Sequence, residues 1–268
     1  MYIEITSTAN KIFKHIKSLG SKSYREKYNE FVIEGARLIK DALQSFAPVN
    51  TIVINDSFLG QRDNSEILEL ISKRDIKIYK LNDRMFKDIS HTETPQGILG
   101  VVSTKLYSIR EIINKTNLSF YIFCDGVQDP GNMGTIIRTA DAAGADAVIL
   151  SKGCVDVYNP KTVRATMGSL FHLPIIKIED TVEALLYFKQ MGLCVISGYL
   201  SNSVYHFDVD MKKGVVIVVG NEANGISDEV IKLSDYLVKI PIIGQAESLN
   251  AGIASGILMY EVVRQRMM

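Results

Sequence analysis

Five polar residues, Asn132, Arg138, Glu222, Ser248 and Asn250, sit in three short segments of the C-terminal half, each following an apolar run. The segments are Asn132-Met-Gly-Thr-Ile-Ile-Arg138, Gly220-Asn-Glu-Ala-Asn-Gly225 and Ile240-Pro-Ile-Ile-Gly-Gln-Ala-Glu-Ser-Leu-Asn250. In open α/β sheets ligands bind beyond the carboxyl ends of the strands, where such segments fall. Glu222 stands where a catalytic carboxylate could act, and Gly220 lets a ligand approach the backbone closely. Pro241 lacks an N–H and forces extended geometry at Ile240, which predicts an irregular loop with free backbone groups. Each residue also has an ordinary structural job. Asn132 can cap the following helix, with Met133 and Gly134 in its first turn, and Ser248 can cap the last one. Arg138 can be a plain surface or salt-bridged side chain, and 220–225 a glycine-bounded loop. Neither a Gly-x-Gly-x-x-Gly fingerprint nor a Walker lysine is present, which argues against an enzyme of phosphorylated metabolites.

Two further groups could face phosphates. In Asp156-Val-Tyr-Asn-Pro-Lys-Thr-Val-Arg164, Asn159 and Pro160 form a natural helix start. Lys161 and Arg164 then share a face, unless that face is merely solvated. Lys+Arg and Asp+Glu both total 30, so net charge points to no partner. The distribution does: Lys11, Lys14, Lys17, Lys22, Arg25 and Lys27 are opposed only by Glu26. That stretch reads either as a phosphate-facing stripe or as a solvated helix face plus a mobile loop.

The elements that must position these groups alternate. Helices are predicted over 8–19, 36–45, 64–73 and 82–89, and strands at Phe31-Val-Ile, Thr51-Ile-Val-Ile, Ile76-Lys-Ile-Tyr and 98–102. After a polar, amphipathic stretch a second alternation has strands at 120–124, 147–150, 174–177, 193–197, 215–219 and 237–240. A helix is expected to start near Ser227, and a long one to span about 249–266. Ala251, Gly252, Ala254, Ser255 and Gly256 permit close packing of the latter. The run Val215-Val-Ile-Val-Val219 suits a strand covered on both faces. The division expected is 1–103, a linker over 104–118, and 119–268, both parts α/β.

Composition, 47% hydrophobic and 22% charged, is that of a globular protein. No apolar run reaches the ~18 residues of a membrane span. The start, Met-Tyr-Ile-Glu-Ile-Thr, has no basic or apolar leader region, so a cytoplasmic protein is expected. Three cysteines without a Cys-x-x-Cys pair and four histidines without ligand spacing predict free thiols and no metal.

The three segments, in this order, resemble the SpoU (TrmH-like) branch of the SPOUT RNA methyltransferases, whose first motif is Asn-x5-Arg. The segment 156–169 matches the pattern between its first and second motifs. Phe31-Val-Ile-Glu-Gly-Ala-Arg37 and Gln96-Gly-Ile98 resemble, more loosely, the small L30e-like RNA-binding domain that precedes many SpoU catalytic domains. The resemblance implies a parallel-sheet domain with a trefoil knot, a homodimer with each site completed across the interface, and S-adenosylmethionine as methyl donor. It assigns Asn132, Arg138, Glu222, Ser248 and Asn250 to the reaction centre. Gly220, Ile240, Pro241, Ile242 and Leu249 go to the cofactor, and Lys22, Arg25, Arg37, Lys161 and Arg164 to RNA.

The implied reaction is methyl transfer to a ribose 2′-hydroxyl, with ribosomal RNA favoured by the extra N-terminal domain. Transfer RNA as substrate, and a non-catalytic RNA-binding or assembly factor on the same scaffold, are the alternatives. Arginine keeps its proton, so Arg138 is expected to clamp a phosphate and ease alkoxide charge, with Glu222 or a phosphate oxygen taking the proton.

Overall fold

The computed structural model describes residues 2–60, 64–113 and 118–268. The chain divides into two compact units, Met1–Lys105 with Asp156–Phe171, and Leu106–Val155 with His172–Met268. Of the expected linker over 104–118, residues 114–117 lie outside the described residues. The segment 156–171 folds with the first unit although residues on both sides of it belong to the second.

In chain order the first part runs β1 (Ile3–Glu4), α1 (Lys11–Ser18), α2 (Lys22–Tyr28), β2 (Glu30–Glu34), α3 (Ala36–Gln44) and β3 (Val49–Ile54). It continues through α4 (Asp56–Leu59), α5 (Ser65–Ser72), β4 (Lys77–Lys80), α6 (Asp83–Ile89) and β5 (Ile98–Ser103). The sheet order is β1-β4-β3-β5-β2, parallel among β1, β4 and β3, with β5 antiparallel to β3 and β2. Apolar residues of α1 and α6, Phe13, Ile16, Met85 and Phe86, pack with Val32, Val53 and Val101 of the sheet into one core. Three elements of this unit, β1, α2 and α4, are absent from the sequence expectations, and 21–29 is therefore not a mobile loop. The reason is physical: α2 buries one residue, and that residue is Arg25.

The second part runs α7 (Ile109–Ile112), β6 (Phe120–Asp125), α8 (Pro130–Ala142), β7 (Ala147–Leu150), α9 (Pro160–Ala165, in the first unit), β8 (Ile175–Lys177) and α10 (Thr181–Gln190). Then follow β9 (Cys194–Gly198), β10 (Val204–Tyr205), β11 (Val215–Gly220), α11 (Asp228–Leu233), β12 (Tyr236–Lys239) and α12 (Ala251–Met267). The strands form one sheet in the order β10-β12-β9-β11-β6-β7-β8, with every pairing parallel. Val216 and Val218 join a core cluster with Tyr121, Phe123 and Phe188, while Val215 and Ile217 are equally buried. Coverage of both faces is why β11 reads as an unbroken apolar run.

From β6 the chain proceeds to β7 and β8 on one side; from β11 it proceeds to β12 on the other. The adjacent strands β6 and β11 therefore flank the topological switch point, where their carboxyl-end loops diverge and leave a crevice.

Candidate active site

The loops after β6 and β11 are tied together. Asn221 donates from Nδ2 to Gly126 O at 2.8 Å, and Ser227 N donates to Asp125 Oδ2 at 2.7 Å. The 220–225 loop closes on itself through paired backbone bonds between Asn221 and Gly225. A Cβ on Gly220 would lie 2.3 Å from Gly225 C, so the loop's own backbone already demands this glycine.

Glu222 is the anchor. Its Oε2 accepts Gln128 N at 3.1 Å, and its Oε1 accepts Asp129 N at 3.1 Å and Asn132 Nδ2 at 2.9 Å. Asn132 Oδ1 accepts Asn250 Nδ2 at 2.8 Å, and Asn250 Oδ1 accepts Ile253 N at 3.2 Å. A carboxylate at one end and a backbone donor at the other fix the orientation of both amides, because each offers one accepting and one donating side. Burial raises the Glu222 pKa, but hydrogen bonds from Asn132, Gln128, its own backbone and Asp129 outweigh that and hold the carboxyl below its ordinary value. A carboxylate so engaged is a poor proton acceptor.

Two capping expectations are corrected here. The N-cap of α8 is Asp129, whose Oδ1 accepts Asn132 N at 2.8 Å with Pro130 next in line. Asn132 is buried inside the first turn, and its side chain is thereby free to bridge the other two segments. The Asp129-Pro130 pair carried this signal, since aspartate before proline is a strong helix start. At α12 the cap is Asn250 and not Ser248.

A cavity of about 590 Å³ opens at the carboxyl ends of β9, β11 and β12. Gly220, Glu222, Ile240, Ile242, Ser248, Leu249 and Asn250 all line it. Pro241 does not, although both its neighbours do. The size suits a ligand of nucleoside dimensions. Ile240, Ile242, Leu249 and Leu258 supply apolar walls, and residues 241–249 make no backbone hydrogen bond among the described residues. Free N–H and C=O groups beside apolar walls fit a purine, whose faces are apolar and whose edge is polar.

Arg138 lies outside this lining, on the exposed side of α8, and makes no hydrogen bond or ion pair among the described residues. α8 packs against α12, where Cβ positions on Gly252 and Gly256 would meet Thr135 and Thr139 at 3.1 and 3.6 Å. Those small residues do set the close approach expected of them.

The residues expected at RNA divide. In the first unit Arg37 and Arg164, both exposed, line one cavity of about 200 Å³ with Glu34, Gln96 and Met167. Arg164 Nη1 donates to His91 O at 2.8 Å, and Asn159 caps α9 as expected. Lys22 and Lys161 are exposed. Arg25 is a correction: it is 4% exposed, with Nε and Nη2 on Asp156 Oδ2 at 2.9 and 2.8 Å. Its Nη1 donates to Leu19 O and Gly20 O, both at 2.8 Å. With these donors spent inside the unit, Arg25 has nothing to offer a phosphate.

Strand order, switch point and cavity define the second unit as a parallel α/β fold with a ligand site at the sheet's carboxyl edge. A model of the SpoU rRNA Methylase family matches residues 119–260, and one of the MRM3-like substrate binding domain matches residues 10–100. The chain belongs to the SpoU rRNA methylase family. It is 36% identical over 264 residues to the 23S rRNA (guanosine(2553)-2'-O)-methyltransferase RlmP of Bacillus subtilis (strain 168), covering 97% of this chain and 98% of that protein. It is 33% identical to the 23S rRNA (uridine(2479)-2'-O)-methyltransferase of Streptomyces viridochromogenes, over 92% of this chain and 87% of that one. The crystal structure of an AdoMet-bound rRNA methyltransferase from Sinorhizobium meliloti matches with a TM-score of 0.88 at 34% identity, covering 97% of each chain.

Proposed function

We propose that this protein transfers a methyl group from S-adenosylmethionine to a ribose 2′-hydroxyl of ribosomal RNA. The observation that carries the reading is the Glu222–Asn132–Asn250 chain, which ties all three sequence segments to one cavity of nucleoside size. Bound there, the cofactor supplies a sulfonium methyl, already a good electrophile. The protein's share is then to orient the sugar oxygen and ease loss of its proton. Ile240, Ile242 and Leu249 hold the adenosyl group, with Pro241 keeping that loop irregular and Gly220 closing the opposite one.

Asn250, its amide locked in one orientation by Asn132, presents a fixed polar edge at the cavity, and Ser248 adds a hydroxyl. Glu222 anchors the two amides and is not the base. Arg138 is the group that grips the phosphate beside the reacting ribose and steadies developing alkoxide charge, the proton passing to a phosphate oxygen. Its exposure, and its making no hydrogen bond or ion pair among the described residues, support a homodimer in which a second copy completes the site. A trefoil knot around the 220–250 segments belongs to the same reading.

Lys22, Arg37, Lys161 and Arg164 contact RNA phosphates in a cytoplasmic setting. Relatives covering most of this chain at similar identity are named for a guanosine and a uridine, so likeness selects the ribosomal RNA class and not the nucleotide. Among the described residues no helix is long and apolar enough to cross a membrane.

S-adenosylhomocysteine tests the cofactor site without needing the RNA. At about 100-fold its dissociation constant it is expected to add ~2.7 kcal/mol of stability by mass action, a rise of roughly 5 to 10 °C in melting temperature. An unchanged melting curve would leave a pure RNA binder on the same scaffold.

A further inference from the structure

We propose that Tyr24 and Tyr28, on α2, form a stacking platform for unpaired RNA bases. The inference rests on the RNA-substrate reading above and assigns part of that contact to a surface beyond the residues already named. The two tyrosines are one helical turn apart, 44% and 42% exposed, with rings inclined by only 22° and centroids 6.2 Å apart. The pair is stacked, and each ring still keeps more than two-fifths of its surface open to solvent.

The platform is rigidly mounted. Arg25, between the two tyrosines in sequence, pins α2 through its buried bonds to Asp156, Leu19 and Gly20. The rings of Tyr28 and His15 of α1 meet in a T-shaped contact, centroids 4.7 Å apart at 83°, and His15 is itself held by Glu30 at 2.7 Å. A tyrosine fixed in this way loses little freedom when a base lands on it.

Charge names the occupant. Lys27 Nζ lies over the Tyr28 ring, 5.3 Å from its centroid, and exposed Lys11 sits one turn before His15. Between residues 11 and 27 a single acid, Glu26, opposes the basic side chains, and one of those, Arg25, is already neutralised inside the unit. Aromatic faces set among lysines match a strand that carries both flat bases and phosphates. Duplex RNA keeps its bases stacked on each other and offers no face, so the occupant is a single-stranded segment.

The chain contains no tryptophan, so Tyr28→Trp places one indole reporter at the platform. Titrating the full-length variant with a short single-stranded RNA is expected to quench its fluorescence, and the same sequence as a blunt duplex is expected to leave it unchanged. In parallel, Tyr24→Ala with Tyr28→Ala should weaken single-strand affinity at least ~5-fold for each ring removed. Tyr24→Phe with Tyr28→Phe should restore it, because the ring and not the hydroxyl does the binding. Melting temperature and the response to S-adenosylhomocysteine report folding and the cofactor site separately. Equal affinity of the alanine and wild-type proteins, or equal quenching by duplex, overturns the platform and leaves the methyltransferase reading standing. Loss of the S-adenosylhomocysteine response with quenching intact does the reverse.

Discussion

Arg138→Lys is expected to lower kcat for RNA methylation by about 10²- to 10³-fold, the cost of removing one preorganised donor aimed at developing charge. Lysine keeps the positive charge but replaces a planar fork with a point charge, so a phosphate held by two parallel bonds loses its orientation. Because Arg138 is exposed and makes no hydrogen bond or ion pair among the described residues, the substitution should leave the melting temperature unchanged. Because it does not line the cavity, the affinity for S-adenosylhomocysteine should also hold. Single-turnover kinetics with saturating RNA separates the chemical step from binding. Turnover within a few-fold of wild type would remove the clamp from the account.

The second large effect is on stability. Arg25→Ala removes one partner of a buried ion pair, taking the guanidinium from Asp156 Oδ2 and a donor from two backbone carbonyls inside the first unit. Breaking such a pair from one side costs about 3–5 kcal/mol, which lowers the melting temperature by roughly 10 °C or more. Calorimetry and RNA binding together decide between two roles for this residue. A buried strut predicts a large stability loss. A phosphate contact would leave stability alone and flatten the salt dependence of RNA binding instead.

That contrast marks where sequence reasoning stops. Strand and helix order was legible because apolar periodicity records which face is buried, and β11 betrayed its two-sided burial by composition alone. Helix α2 was not legible, since Lys-Ser-Tyr-Arg-Glu-Lys-Tyr has no apolar stripe and its single buried side chain is charged. Charge in a sequence says nothing of burial, and the partner of Arg25 lies 131 residues away. Of the candidate site, the segments were visible and their cavity could be anticipated from strand ends. The bonds that lock them were not. Asn132 looked like a cap because helix-start residues and network residues are the same types, and only the distances to Glu222 and Asn250, 90 and 118 residues on, separate the two jobs. The Asp129-Pro130 pair was readable and would have freed Asn132 from capping.

The atom that receives the methyl, a ribose oxygen and not a base, defines the reaction. The most direct measurement is nucleoside analysis after incubating the protein with S-adenosylmethionine and ribosomal RNA lacking its modifications. Cleavage of RNA in alkali uses the 2′-hydroxyl as nucleophile, so a methyl there leaves one linkage intact. A single alkali-resistant dinucleotide that digests to a 2′-O-methyl nucleoside is the expected product. Label recovered on a base, or no transfer by protein that still binds S-adenosylhomocysteine, would contradict that assignment.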